Sequence, residues 1–310
     1  MIFTCTLNPA IDLYVELKEL KPKIVNRTLE EDYQPNGKAV NISILLNKLG
    51  IRNKALGFIG GFSGEFIKQE LIKMGIDTDF ISVEGNTRIN TFVNANEEYK
   101  IVNRGPIIPE VKTHEMLEKI KLLPNGSKLC ISGSLPRGVS DDIFLDIAEI
   151  CNTNGIKLIL DISSLTLLDC LAFKPYLIKP NEEELAALFN VELSSLSKEK
   201  VIQFSKELLQ RGAKQVLVSR GEQGAIYASS NHLIEVSSVK GKVINTACAG
   251  DAMLGMFIGK RELGKTIEEA LQYASAAGAS TAFSKGLTDL SDIEDLVKKI
   301  SLKNLQVTTM

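Results

Sequence analysis

Apolar positions along this chain follow two different rhythms. From about residue 128, short apolar runs alternate with amphipathic stretches of helical period. KLCISGS precedes DDIFLDIAEICNTNG, then come KLILDIS, a helix, YLIKPN, EEELAALFN, KEKVIQFSKELLQRG and QVLVSRG. Apolar strands separated by helices of this length predict a parallel sheet with crossover helices on both faces. The same rhythm starts near residue 36, where VNISILLNKLG reads as a helix, KALGFIG as a strand and GEFIKQELIKMG as a second helix. The predicted class is therefore α/β, with a three-layer core around a mostly parallel sheet.

Two stretches break that rhythm. Residues 8–35 and 86–108 are strand-like, with turn residues between the runs and no helical period. A hairpin is expected around Asn94–Glu97. Together they predict a small antiparallel sheet acting as a lid, with 1–310 otherwise a single domain. A detached sheet of that kind exposes a face and an edge, so it needs a substrate, the large sheet or a second subunit against it. Towards the C-terminus, EEALQYASAAGASTAF reads as a helix rich in small residues, and the tail after about residue 303 is expected to fray.

Composition narrows the partners. The 310 residues carry 36 Lys and Arg against 38 Asp and Glu, a net charge of −2, and no strongly basic run. Nucleic acid and anionic membranes are therefore disfavoured as partners. No window approaches 18 uninterrupted apolar residues, and the first segment, MIFTCTLNPAIDLYVEL, reads as strands with no basic leader. Five scattered cysteines, at 5, 130, 151, 170 and 248, fit reduced thiols in the cytoplasm.

Four segments could carry chemistry. Asn245-Thr-Ala-Cys-Ala-Gly-Asp-Ala252 places small residues ahead of a helix, where backbone N–H groups and the positive dipole end suit a phosphate. Asp251 at its rim is a sensible acceptor for a hydroxyl proton, or else a helix cap. Asn36-Gly-Lys-Ala-Val-Asn41 is a second turn before a helix, either a sugar-phosphate contact or an ordinary exposed turn. In Lys179-Pro-Asn-Glu-Glu-Glu184, Asn181 and Glu184 fit a capping box or the support of a hydrated Mg²⁺. Val218-Ser-Arg-Gly-Glu-Gln-Gly224 ends a strand in a Gly-rich turn, where open α/β sheets bind nucleotides, though a plain hairpin would look the same. Neither a GxxxxGK[ST] nor a GxGxxG motif is present, so any nucleotide is held by another cradle.

In order along the chain, Thr6–Asp12, Asn36–Asn41, Thr87–Asn90, Ser132–Gly138, Lys179–Glu184, Val218–Gly221 and Ala249–Asp251 resemble the phosphofructokinase-B branch of the ribokinase-like carbohydrate kinases. Within it the likeness is to the 1-phosphofructokinase and tagatose-6-phosphate kinase group. The resemblance implies ATP and Mg²⁺ as cofactors, a ribokinase-like core with a β lid, and a homodimer paired through that lid. It implies that Asp12, Gly37 and Asn41 hold sugar hydroxyls, and that Lys38, Arg88, Ser134 and Lys100 hold the sugar's existing phosphate. Lys179, Ser219, Gly221, Ala279 and Ser284 would line the ATP site, and Asn181 and Glu184 would support the metal ion. Backbone groups of Ala249, Gly250 and Asp251, with Cys248 before them, would form an anion hole, and Asp251 would be the base. The implied reaction converts fructose 1-phosphate to fructose 1,6-bisphosphate, with tagatose 6-phosphate as the next acceptor.

The chain departs from the family's pattern in three places. The usual GGKGxN is here Asn36-Gly-Lys-Ala39-Val-Asn41, Cys248 replaces a glycine before Ala249-Gly-Asp, and Arg220 replaces an apolar residue. The lost glycines leave open a non-catalytic sugar-phosphate sensor on the same fold. A positive φ at Cys248 would strain the backbone by about 1–3 kcal/mol. A thiol at a helix N-terminus beside an anion site is expected to have a lowered pKa, to be alkylated readily and to be protected by ATP.

Overall fold

The computed structural model describes residues 1–305, and its strands form two sheets. The larger has eleven strands. Its order runs Leu302–Asn304, Leu233–Val236, Ala225–Ser229, Gln215–Ser219, Leu177–Ile178, Lys157–Asp161, Lys128–Ser132, Ile2–Thr6, Asn53–Ile59 and Asp77–Thr78, with Ile81–Ser82 also on Asn53–Ile59. Pairings from Gln215–Ser219 to Asp77–Thr78 are parallel, and the three beyond Gln215–Ser219 are antiparallel.

The parallel strands are apolar on both sides because helices cover both sides. Leu129, Ile131, Leu158 and Leu160 enter one core, and Cys130 and Ile159, between them in sequence, enter the other. Helices Glu110–Lys121, Asp142–Thr153, Glu182–Leu188 and Lys198–Arg211 close the first core, and Lys38–Lys48, Ala249–Glu262 and Ile267–Ala282 close the second. The expected three-layer α/β core is present. Leu302–Asn304 is an edge strand on Leu233–Val236, and most of the tail expected to fray after about residue 303 lies outside the described residues.

The smaller sheet has four strands in the order Glu30–Asn36, Ala10–Glu16, Arg88–Asn94 and Glu98–Ile101. Its outer pairings are antiparallel, including the hairpin in which Asn94 faces Glu98. Its central pairing, Ala10–Glu16 on Arg88–Asn94, is parallel. A long crossover through Lys38–Lys48 and Gly61–Lys73 separates those two strands in sequence, which makes a parallel pairing possible. Register puts Asp12, Asn90 and Gln34 in one row, and Leu13, Thr91, Tyr33 and Ile101 in a row on the opposite face.

Candidate active site

The segments singled out from sequence meet past the carboxyl ends of the parallel strands, where open α/β sheets place their ligands. Two helices begin there. Lys38–Lys48 starts after Gly37, and Ala249–Glu262 starts after Cys248, and neither has a side-chain cap. Val40 N–H is taken by Thr6 Oγ1 at 3.0 Å and Ala249 N–H leans on Thr246 O at 3.4 Å, which leaves the other first-turn N–H groups, those of Lys38, Ala39, Gly250 and Asp251, to meet an anion. Gly37 has φ 137°, and a Cβ there would stand 2.7 Å from Thr6 Cγ2, so only glycine fits this turn.

Asp251 lies in the first turn of Ala249–Glu262 and is 6% exposed. Asn41, from the facing helix, donates its Nδ2 to Asp251 Oδ2 at 2.8 Å. Burial, and then the negative charge of Asp161, push the Asp251 carboxyl up to about 7, against the pull of Asn41, Lys38 and Lys179. A carboxylate titrating near neutrality can take a proton and give it back, as a general base must.

Beneath it lies an ionic cluster. Lys179, 4% exposed, places Nζ 3.0 Å from Asp161 Oδ1, and Ser132 Oγ donates to Asp161 Oδ2 at 2.6 Å. Lys38 Nζ stands between Asp161, at 3.5 Å, and Glu184, at 3.8 Å. Burial alone would raise the Asp161 carboxyl, but Lys179 and Lys38 together hold it below the usual carboxylate range. Asp161 thus stays charged while its neighbour Asp251 is pushed towards protonation. Lys179 Nζ also lies 3.4 Å from where a Gly250 Cβ would be, directly beside the Ala249-Gly250-Asp251 backbone.

On the side of the smaller sheet, buried Asp12 accepts from Asn90 Nδ2 at 2.8 Å and from Asn36 Nδ2. Arg88 is held by backbone carbonyls, Nη2 to Asn8 O at 2.9 Å among them. Asn8 turns its own Nδ2 to Leu135 O, and to Ser134 Oγ at 3.5 Å, so Arg88 and Ser134 are neighbours of one residue. Lys38 Cβ packs 3.8 Å from the Cβ position of Gly133, beside Ser134. Lys100 is not brought into this group. It faces Phe92, four residues along the strand from Arg88, and pairs with Glu98 at 3.2 Å on the exposed end of the sheet.

Of the nucleotide-side candidates, Asn181, Glu184, Ser219 and Gly221 lie together, while Ala279 and Ser284 belong to a separate helix and its end. Asn181 and Glu184 form a complete capping box, with Glu184 N–H to Asn181 Oδ1 at 2.7 Å and Asn181 N–H to Glu184 Oε2 at 2.9 Å. Ser219 ends its strand in a bridge to Asn181, and Gly221 follows with φ 53°. Ala279 is buried in Ile267–Ala282, where a Cβ at neighbouring Gly278 would stand 3.4 Å from Ala249 O, and Ser284 Oγ donates to Ser280 O. Arg220, the residue in place of an apolar one, is buried and pairs with Glu182 at 2.7 Å.

Among the described residues no group of three His, Cys, Asp or Glu side chains is placed to hold a metal ion by itself. The side-chain oxygens of Asn181 and Glu184 could support a hydrated Mg²⁺, which needs few protein oxygens, whereas fully buried Asp161 is already paired with Lys179 and Lys38.

Cys248 corrects one expectation and meets another. Its φ of 63° is left-handed, as a glycine position would be. Its thiol is pushed up to about 12, by burial first and by the negative charges of Asp251 and Asp12 next, so it is not an activated thiolate. Burial, together with the negative charge nearby, outweighs the half-charge of a helix N-terminus.

Asp161, Asn90, Asn36 and Asn8 escaped assignment from sequence. Asp161 carried a signal, as the acidic residue closing the apolar run KLILD at a strand's carboxyl end.

The profile described as pfkB family carbohydrate kinase matches residues 6–294. A D-tagatose-1-phosphate kinase from Bacillus licheniformis is 56% identical over 98% of this chain and 100% of its own length. A 1-phosphofructokinase from Bacillus subtilis is 33% identical over the same shares. The crystal structure of phosphofructokinase-2 from Escherichia coli in complex with fructose-6-phosphate superposes with a TM-score of 0.87 at 29% identity, covering 96% of this chain and 98% of that one.

Proposed function

The chain belongs to the pfkB family of carbohydrate kinases and is a sugar-phosphate kinase, and from that premise we propose that its acceptor is a ketohexose 1-phosphate, D-tagatose 1-phosphate ahead of D-fructose 1-phosphate. ATP would be the donor and the 6-hydroxyl the acceptor group, giving a 1,6-bisphosphate. The observation that carries the order is the 56% identity, end to end, to a protein named for tagatose 1-phosphate, against 33% to one named for fructose 1-phosphate phosphorylation. This replaces the fructose-first expectation, and tagatose 6-phosphate is the poorer fit.

In the proposed reaction Asp251 takes the proton of the acceptor hydroxyl, whose oxygen forms the new bond to the γ-phosphorus as the bond to ADP breaks. Asn41 fixes which oxygen of Asp251 is free. The N–H groups of residues 249–251, with Lys179 beside them, meet the charge on the transferred phosphoryl group. Glu184 and Asn181 would support Mg²⁺, which when bound would supply positive charge against the phosphates of the nucleotide. Asp12 and Asn41 would contact sugar hydroxyls, and Arg88, Lys38 and Ser134 its phosphate.

Residues 8–35 and 86–108 would form the lid over the acceptor. Pairing of two lids is part of the proposal, supported by the exposed Tyr33 and Ile101 on the face turned away from Asp12. No helix among the described residues is long and apolar enough to cross a membrane, and five free cysteines suit a reducing cytoplasm.

ADP release is to be measured with D-tagatose 1-phosphate, D-fructose 1-phosphate, D-tagatose 6-phosphate and D-fructose 6-phosphate. The expected result is kcat/KM of about 10⁴ M⁻¹s⁻¹ or more on a 1-phosphate, highest for tagatose. A higher value on either 6-phosphate overturns the proposal.

A further inference from the structure

The acceptor side of the site is tied to its base through one side chain to which the reaction assigns nothing. Asn36 ends the strand Glu30–Asn36, immediately before Gly37. Its Nδ2 donates to Asp12 Oδ2, and its Oδ1 accepts from Gly37 N–H and, at 3.0 Å, from Asn41 Nδ2. Asn41 Nδ2 also reaches Asp251 Oδ2 at 2.8 Å, and Asn90 Nδ2 reaches Asp12 Oδ1 at 2.8 Å. An unbroken line of hydrogen bonds therefore runs from Asn90 through Asp12, Asn36 and Asn41 to Asp251. It crosses from the smaller sheet to the helix Ala249–Glu262.

The chemistry of this line admits few side chains at position 36. An ionised carboxylate only accepts and a backbone N–H only donates, so Asp12 and Gly37 between them fix which way the Asn36 amide points. The residue must donate at one end and accept at the other. Aspartate keeps the acceptor but sets a second carboxylate against Asp12. Glycine, the residue that the family pattern has here, keeps neither end and leaves both Asp12 Oδ2 and Asn41 to find other partners.

We infer that Asn36 is a positioning residue: by holding Asp12 and Asn41 at once, it sets where the acceptor sugar lies relative to the base. The inference rests on Asp12 meeting the acceptor, as proposed above. Asn36 bonds to Asp12, Gly37 and Asn41, with Cys248 Sγ 3.8 Å away, and no hydrogen bond among the described residues joins it to Ser219 or Gly221, so its loss should be felt through the sugar phosphate more than through ATP.

The test uses the full-length kinase with whichever ketohexose phosphate the wild type turns over fastest. Asn36→Asp, Asn36→Gly and, as a control on the premise, Asp12→Ala are each characterised for acceptor KM, ATP KM and kcat. Asn36→Gly should raise acceptor KM at least 10-fold and Asn36→Asp should lower acceptor kcat/KM at least 100-fold, with ATP KM within threefold of wild type in both. Acceptor kcat/KM within threefold of wild type in both variants overturns the inference. So does a matched rise in both KM values, which is the mark of a merely loosened fold. Glycine suits this turn, so that variant gives a reading even if Asn36→Asp fails to fold. An unchanged acceptor KM in Asp12→Ala refutes the sugar contact itself and so separates failure of the premise from failure of the Asn36 role.

Discussion

Asp251→Asn should damage catalysis and strengthen the fold, and the size of the second effect follows from burial. The side chain is nearly inaccessible, and its carboxyl is raised from 3.8 to about 7. Between those values the folded state binds a proton that the unfolded state has released, so stability falls as pH rises through this range. The penalty is absent below about pH 4 and complete above about pH 7, where it is about 4 kcal/mol at most. Asparagine removes it and keeps an oxygen for Asn41, but its new amide N–H groups need acceptors, a cost of about 1–3 kcal/mol. A net gain of about 2 kcal/mol at pH 8 remains, which for a chain of this size is about 4 °C in Tm. Thermal unfolding of wild type and variant at pH 5 and pH 8 reads it directly, and ADP release under the same conditions should show kcat lower by about 10²–10⁴-fold. A variant less stable than wild type at pH 8, or a Tm difference that ignores pH, would refute the account of how this carboxylate is strained. Near-normal turnover would remove it as the base.

Two further outcomes follow from the same cluster. Lys179→Met leaves the buried Asp161 charge with only Lys38 at 3.5 Å, and chemical denaturation should show about 3–5 kcal/mol lost, with Asp161→Asn in the same chain restoring part of it; a loss under 1 kcal/mol would mean that water or Lys38 already carries the charge. Cys248, with its thiol pushed up to about 12, should react with iodoacetamide at pH 8 at least 100-fold more slowly than a free cysteine, and complete labelling within minutes would contradict the burial and charge assigned to it.

What the sequence could and could not reveal divides along the range of the interactions. Strand and helix positions were legible because both faces of the parallel sheet are covered, which forces continuous apolar runs such as KLILD and QVLVS. The Asn181–Glu184 capping box was legible because it is local, three residues apart. Whether those two residues also face a ligand was not, since that depends on Lys38, far away in sequence, reaching Glu184. Asp161 was passed over for the same reason: an acid at a strand end acquires meaning only once Lys179 and Lys38 are seen to converge on it. The parallel pairing of Ala10–Glu16 with Arg88–Asn94 leaves no local trace either, because a strand's own pattern is the same whichever way its partner runs. At Cys248 the local rule for helix N-termini was sound but was outweighed first by burial and then by Asp251 and Asp12, one of which lies more than two hundred residues away.

The departures at 36 and 248 gain a different meaning in three dimensions. Read along the chain, they look like two independent losses of glycine, and independent losses suggest a decaying site. In the fold the two side chains meet, with Asn36 Nδ2 3.8 Å from Cys248 Sγ, and both contact Asn41. Their neighbour Asp251 keeps its hydrogen bond from the same amide. Two glycines facing each other would leave a gap at this point, and here one gap is filled from both sides by groups that can serve Asp12 and Asn41. The left-handed backbone at Cys248 costs about 1–2 kcal/mol, so a side chain kept there must return something that glycine would not. On the proposed function, filling of that kind reshapes the pocket for the acceptor and leaves the ionic cluster around Asp161 and the start of Ala249–Glu262 untouched.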